Sequence, residues 1–134
     1  MDLQRFRAER GAAAWQSEWE FLAVVISIVV FSAELEQCKF VLQADNTATL
    51  QAAMDLKSGK PLMNAMAGEV ALRLDRLRSQ MAMTEHIPGL LNIEADALSR
   101  LSAGKELPAS LRSSKRFEVP LRDSDFWMCW PQEL

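Results

Sequence analysis

Four side chains in this sequence stand where chemistry can be done: Glu20, Asp45, Asp96 and His86. Glu20 falls near the start of a long apolar segment, Asp45 ends a short apolar run, Asp96 lies inside a helical pattern, and His86 is the only histidine. Carboxylates and imidazole hold ligands or move protons, and an acid at the carboxyl end of a strand lies where α/β folds place their ligands. Each residue also has a plain structural reading. Asp45 suits a helix N-cap, and Glu20 suits a solvated first-turn acid favoured by the helix dipole. Asp96, in IEADALSRL, suits an exposed helix position one turn from Asn92 and Arg100. A lone histidine is more often a satisfied structural group than a catalytic one.

The elements that must position these residues follow from periodicity. Glu18 to Glu36 reads as a helix: it runs without Gly or Pro, is bounded by acids, and repeats Leu22, Val25, Ile26, Val29 and Ala33 at helical spacing. Its β-branched residues argue for a strand, but its length decides against one. Lys39 to Ala44 (KFVLQA) fits a buried strand, and Asp45 or Asn46 caps a helix over Thr47 to Lys57. Ser58-Gly59-Lys60-Pro61 breaks the chain, with Pro61 suited to the first turn of a helix over Leu62 to Ser79. Met81 to Ile87 reads as a second strand, Pro88-Gly89 as a turn, and Asn92 as the cap of a last helix from Ile93 to about Leu101. The methionines at 54, 63, 66, 81 and 83 read as core packing. This order predicts an α/β domain with one or two strands paired in parallel.

Composition sets the outer limits. The chain has 134 residues, 49% apolar and 25% charged, with five Gly and five Pro, the profile of a globular domain rather than a disordered or repeat protein. The formal net charge is −3, and no region carries the strong basic excess of a free-standing nucleic-acid binder. Two cysteines, Cys38 and Cys129, lie far apart without companions at ligand spacing, which argues against a zinc site or a disulfide framework and for a reducing, intracellular setting, cytoplasmic or nuclear. FLAVVISIVVF (21–31) is too short to span a bilayer, which takes about 20 apolar residues, and acids precede it where a signal peptide carries positive charge.

Taken together, residues 86–100, HIPGLLNIEADALSR, resemble the H-x-x-G-x-x-N-x-x-A-D-x-L-S-R signature that closes the ribonuclease H domain of gypsy-type and DIRS-type retroelement reverse transcriptases. His86, Gly89, Asn92, Ala95, Asp96, Leu98, Ser99 and Arg100 carry the likeness. Upstream, VLQADNTATLQA resembles the family's strand followed by SDNT, with Ala44 where Ser is common. SGKPLMN (58–64) resembles the link into the next helix, and EFLAV (20–24) the helix with the catalytic Glu. The resemblance covers residues 18–102, between a leader (1–17) and a linker with an aromatic tail (103–134).

The resemblance implies hydrolysis of the RNA strand of an RNA–DNA hybrid by two metal ions, Mg²⁺ or Mn²⁺, held about 4 Å apart by clustered carboxylates. Glu20, Asp45 and Asp96 would be the metal ligands, and His86 would assist water movement or product release. Asn46, Thr47, Asn92 and Arg100 would lie near the nucleic acid, read by shape and 2′-OH contacts more than by sequence.

The family's fold begins with three antiparallel strands, the first of them central and carrying the first metal-ligand Asp. Residues 1–17 contain no hairpin, and Asp2, their only Asp, lacks a strand-like setting. The expectation is a partial ribonuclease H-like α/β fold, a few-stranded sheet flanked by helices, with weakened metal binding and little or no hydrolysis alone. A bare sheet edge prone to association is expected beside the most apolar helix. Partners would be a hybrid or other nucleic acid, or the rest of a reverse transcriptase polyprotein, with no membrane. The other class of function is a non-catalytic nucleic-acid-binding or protein-interaction remnant, to which Arg73, Arg76, Arg78 and the basic cluster at 112–116 lend support.

Overall fold

The structure, a computed structural model, describes residues 13–121 and 126–128. Asp2 and most of the leader lie outside the described residues, as does Cys129. A 3-10 turn at Ala13–Trp15 leads into helix α1 (Gln16–Val30), followed by a short helix α2 (Ser32–Leu35) and strand β1 (Lys39–Ala44). Helix α3 (Thr47–Asp55), helix α4 (Pro61–Leu77), strand β2 (Gln80–His86) and helix α5 (Ile93–Ser99) complete the order, with single 3-10 turns at Leu101–Ala103 and Ala109–Leu111.

The apolar segment is helical, as its length implies, but not in one piece. Phe31 leaves the helical path, its N–H shared between the carbonyls of Ser27 and Val29, and the chain restarts as α2. Ser27 contributes to the break: its hydroxyl donates to the Ala23 carbonyl at 2.7 Å, the back-bond that bends helices. Phe21, Leu22, Val24, Val25 and Ile28 are buried, so this helix is the spine of the core. It packs chiefly on α4, where Met63, Met66, Ala67 and Val70 are almost wholly enclosed.

α3 begins where its sequence says. Asn46 is extended and its Oδ1 accepts the N–H of Thr49 at 3.0 Å, satisfying one of the helix's orphan donors. The chain leaves α3 through Leu56 and α4 through Arg78, both in the left-handed region, φ 53° and 51°. Between them, Ser58 N–H donates to Asn64 Oδ1 at 3.1 Å and Pro61 opens α4, where a missing N–H costs nothing. The α3–α4 crossover returns the chain in the same direction, so β2 lies parallel to β1, with Ala44 opposite His86 at the carboxyl end.

Among the described residues the sheet has two strands and two unlike faces. Phe40, Leu42 and Met81 join the helical core, whereas Val41 and Met83 are about half exposed on the other face. This corrects the expectation for two methionines: Met63, Met66 and Met81 are core residues, but Met54 and Met83 are exposed, because nothing among the described residues covers their side of α3 or of the sheet. The aromatic tail returns to the domain. Phe126 and Trp127 are buried in the same core, and Arg73 on α4 holds them, its guanidinium 5.1 Å from the Phe126 ring centroid and donating to the Phe126 carbonyl.

Candidate functional site

The parallel strand pair fixes the position of Asp45 and His86. β1 ends at Ala44 and β2 at His86, and these two are register partners, so the side chains just beyond the strands emerge at one edge of the domain. Ile87 N–H donates to the Ala44 carbonyl at 2.9 Å, holding the strand ends together. His86 Nε2 lies 3.3 Å from the Asp45 carbonyl oxygen, at an exposed position. The chain then turns at Pro88-Gly89, and a Cβ on Gly89 would stand 3.6 Å from Asp45 Oδ2. That is ordinary contact, so what matters at Gly89 is proximity: the turn brings backbone against the Asp45 carboxylate.

Asp45 does not cap α3, since the neighbouring Asn46 does. The carboxylate is left exposed at the strand end, without an ion-pair partner among the described residues. Asn46 has a second task. Its Nδ2 donates to Ser17 Oγ at 3.2 Å, and Thr49 Oγ1 donates to the Ser17 carbonyl at 3.4 Å, so the first turn of α1 is fastened to the first turn of α3. Glu20 stands one turn beyond Ser17. Its Oε1 accepts from Gln16 Nε2 at 2.9 Å, while Oε2 is buried without a hydrogen-bond partner among the described residues. Thr47, the first residue of α3, is exposed beside them.

Asp96 is placed differently. It lies in the first turn of α5, about a third exposed, with Oδ1 2.8 Å from Arg100 Nε and Oδ2 2.6 Å from Lys105 Nζ. The hydrogen bond from Lys105, helped by the charges of Lys105 and Arg100, holds its carboxyl below the ordinary range despite partial desolvation. Asn92 occupies the N-cap position of α5 and its carbonyl accepts the Asp96 N–H at 3.0 Å, but its side chain makes no capping bond. Arg100 is therefore turned toward Asp96. Lys105 belongs to a stretch that reads as linker, and no periodic signal marks it as the second cation on this carboxylate.

The carboxylates implied as metal ligands already have partners in part. Asp96 has both oxygens taken by cations, and Glu20 has one taken by an amide. Among the described residues no three His, Cys, Asp or Glu side chains are grouped so as to hold a metal ion. No helix among the described residues is long and apolar enough to cross a membrane. No known protein family, curated protein or solved structure matches the chain.

Proposed function

We propose that the chain is a ribonuclease H-like module of retroelement origin that does not hydrolyse an RNA–DNA hybrid on its own. The observation that carries this reading is the parallel β1–β2 pair. Two residues of the resemblance, Asp45 and His86, are 41 positions apart in sequence, yet the pair sets them side by side, with Gly89 of the same signature closing over Asp45. The α/β class with a small parallel sheet is compatible with a part of that fold.

The lack of turnover rests on two points. The family's first carboxylate has no counterpart among the described residues, and Asp96 is neutralised by Arg100 and Lys105. Two-metal hydrolysis needs several carboxylates free to converge on one phosphate. The test is incubation of a labelled RNA–DNA hybrid with the chain in Mg²⁺ or Mn²⁺; hydrolysis abolished by Asp45→Asn overturns the reading.

The pairing of Asp96 also favours a second reading, a non-catalytic remnant that grips nucleic acid or a protein partner. Salt-dependent binding of the hybrid without cleavage would support it.

A further inference from the structure

Among the described residues β1 has one edge paired to β2 and one edge bare. The ladder tells which backbone groups face the bare edge. In a parallel pair, a residue directs its N–H and C=O to one side, and successive residues alternate sides. The carbonyls of Cys38 and Ala44 accept from Gln80 N–H and Ile87 N–H, each at 2.9 Å. Even-numbered residues of β1 therefore face β2, and Lys39, Val41 and Gln43 direct three N–H and three C=O groups away from it. The ladder's irregularity leaves this alternation intact: pairing steps from Phe40–Met81 to Val41–Met83, so the extra residue, Ala82, is on β2. The side chains of Lys39, Val41 and Gln43 are all exposed, with Val41 beside its register partner Met83 on the open face.

We propose that this edge is a homodimer interface, in which β1 pairs antiparallel with β1 of a second copy about a two-fold axis at Val41. With Val41 opposite its own symmetry mate, Lys39 falls opposite Gln43 of the second copy, and all three outward-facing residues of each copy find partners. Sliding by two residues leaves one of the three unpaired in each copy, and sliding by one sets exposed side chains against the covered face. β1 holds no Pro or Gly that would spoil the ladder.

Charge selects the same register. A lysine on an edge strand ordinarily discourages pairing. Here it meets a carboxamide that already donates to Glu85 at 2.7 Å, so the ammonium approaches a carboxylate, and does so twice by symmetry. On the open face, Met83 and Val41 of both copies form one row across four strands. Side chains 52% and 45% exposed in the single copy then cover one another. The partner is a second copy because the edge complements itself in both hydrogen bonds and charge. The pairing does not depend on the ribonuclease H-like reading.

The test is sedimentation equilibrium of the full chain with backbone hydrogen exchange at low and high protein concentration. A concentration-dependent dimer is expected, weakened roughly tenfold by Lys39→Glu and restored by Lys39→Glu with Glu85→Lys. The amides of Lys39, Val41 and Gln43 should exchange slowly only at high concentration, whereas those of Phe40, Leu42 and Ala44 are protected at both. Three results overturn the proposal: a monomer throughout, a dimer indifferent to Lys39→Glu, or protection of the odd-numbered amides independent of concentration. The last would mean that the edge is already covered within the chain.

Discussion

His86 Nε2 lies 3.3 Å from the main-chain carbonyl of Asp45, so the ends of two parallel strands hold an imidazole and a carboxylate in one small exposed area. Neither residue is fixed there by a neighbour in sequence. Their meeting depends on the α3–α4 crossover, and thus on the α1–α4 core beneath it.

That core sets the first prediction. Phe21 is fully enclosed between α1 and its neighbours. Phe21→Ala should cost about 3–5 kcal/mol of unfolding free energy, measured by urea denaturation. A loss below about 1 kcal/mol would contradict the packing described.

Asn46 couples capping to assembly, since its Oδ1 caps α3 and its Nδ2 reaches Ser17 on α1. Asn46→Ala should cost about 1 kcal/mol or somewhat more. Asn46→Asp should keep the cap but lose the donor to Ser17, and so fall between the two. Equal stability of all three chains in thermal melts would rule out this role.

Asp96 gives a pH dependence with a definite sign. Its folded-state pKa lies below the ordinary 3.8, because Lys105 and Arg100 favour the carboxylate. Its contribution to stability is therefore complete above the ordinary value and fades as pH falls through the lowered one. Lys105→Ala should move the Asp96 carboxyl titration, followed by NMR, back toward 3.8. An unchanged midpoint would show that the 2.6 Å contact does not persist in solution.

The return of the tail is open to a spectroscopic test. Arg73 stacks on Phe126 and bonds its carbonyl, and Trp127 is buried next to it, the two rings 4.9 Å apart. Arg73→Ala should release this segment, shifting the tryptophan emission attributable to Trp127 to longer wavelength and speeding proteolysis after residue 121. Emission identical to that of the parent chain would contradict the docking.

Much of the framework was legible in local sequence. KFVLQA is the observed first strand, though its residues alternate between exposed and half-buried rather than being buried as expected; Pro61 opens α4, and Asn46 is one of the two caps anticipated, because these features depend on residues within one turn of each other. The break at Phe31 was not legible, since no Gly or Pro marks it; a serine back-bond and a shared N–H do. Burial of individual methionines was also hidden: Met66 and Met83 look alike in sequence, and only the one-sided covering of the sheet separates them. At the candidate site, the strand ends that bring Asp45 to His86 followed from the order of elements. The hold of Lys105 on Asp96 did not, because it joins α5 to a stretch without periodicity.

The most direct test of the central claim is cleavage of a labelled RNA–DNA hybrid by the full chain in Mg²⁺ and in Mn²⁺, alongside Asp45→Asn as the matched control. If the chain is the ribonuclease H-like module proposed, with Asp96 held by two cations and the family's first carboxylate without a counterpart among the described residues, it should leave the RNA strand intact in both metals, indistinguishable from the Asp45→Asn chain. Metal-dependent turnover that Asp45→Asn abolishes would contradict it.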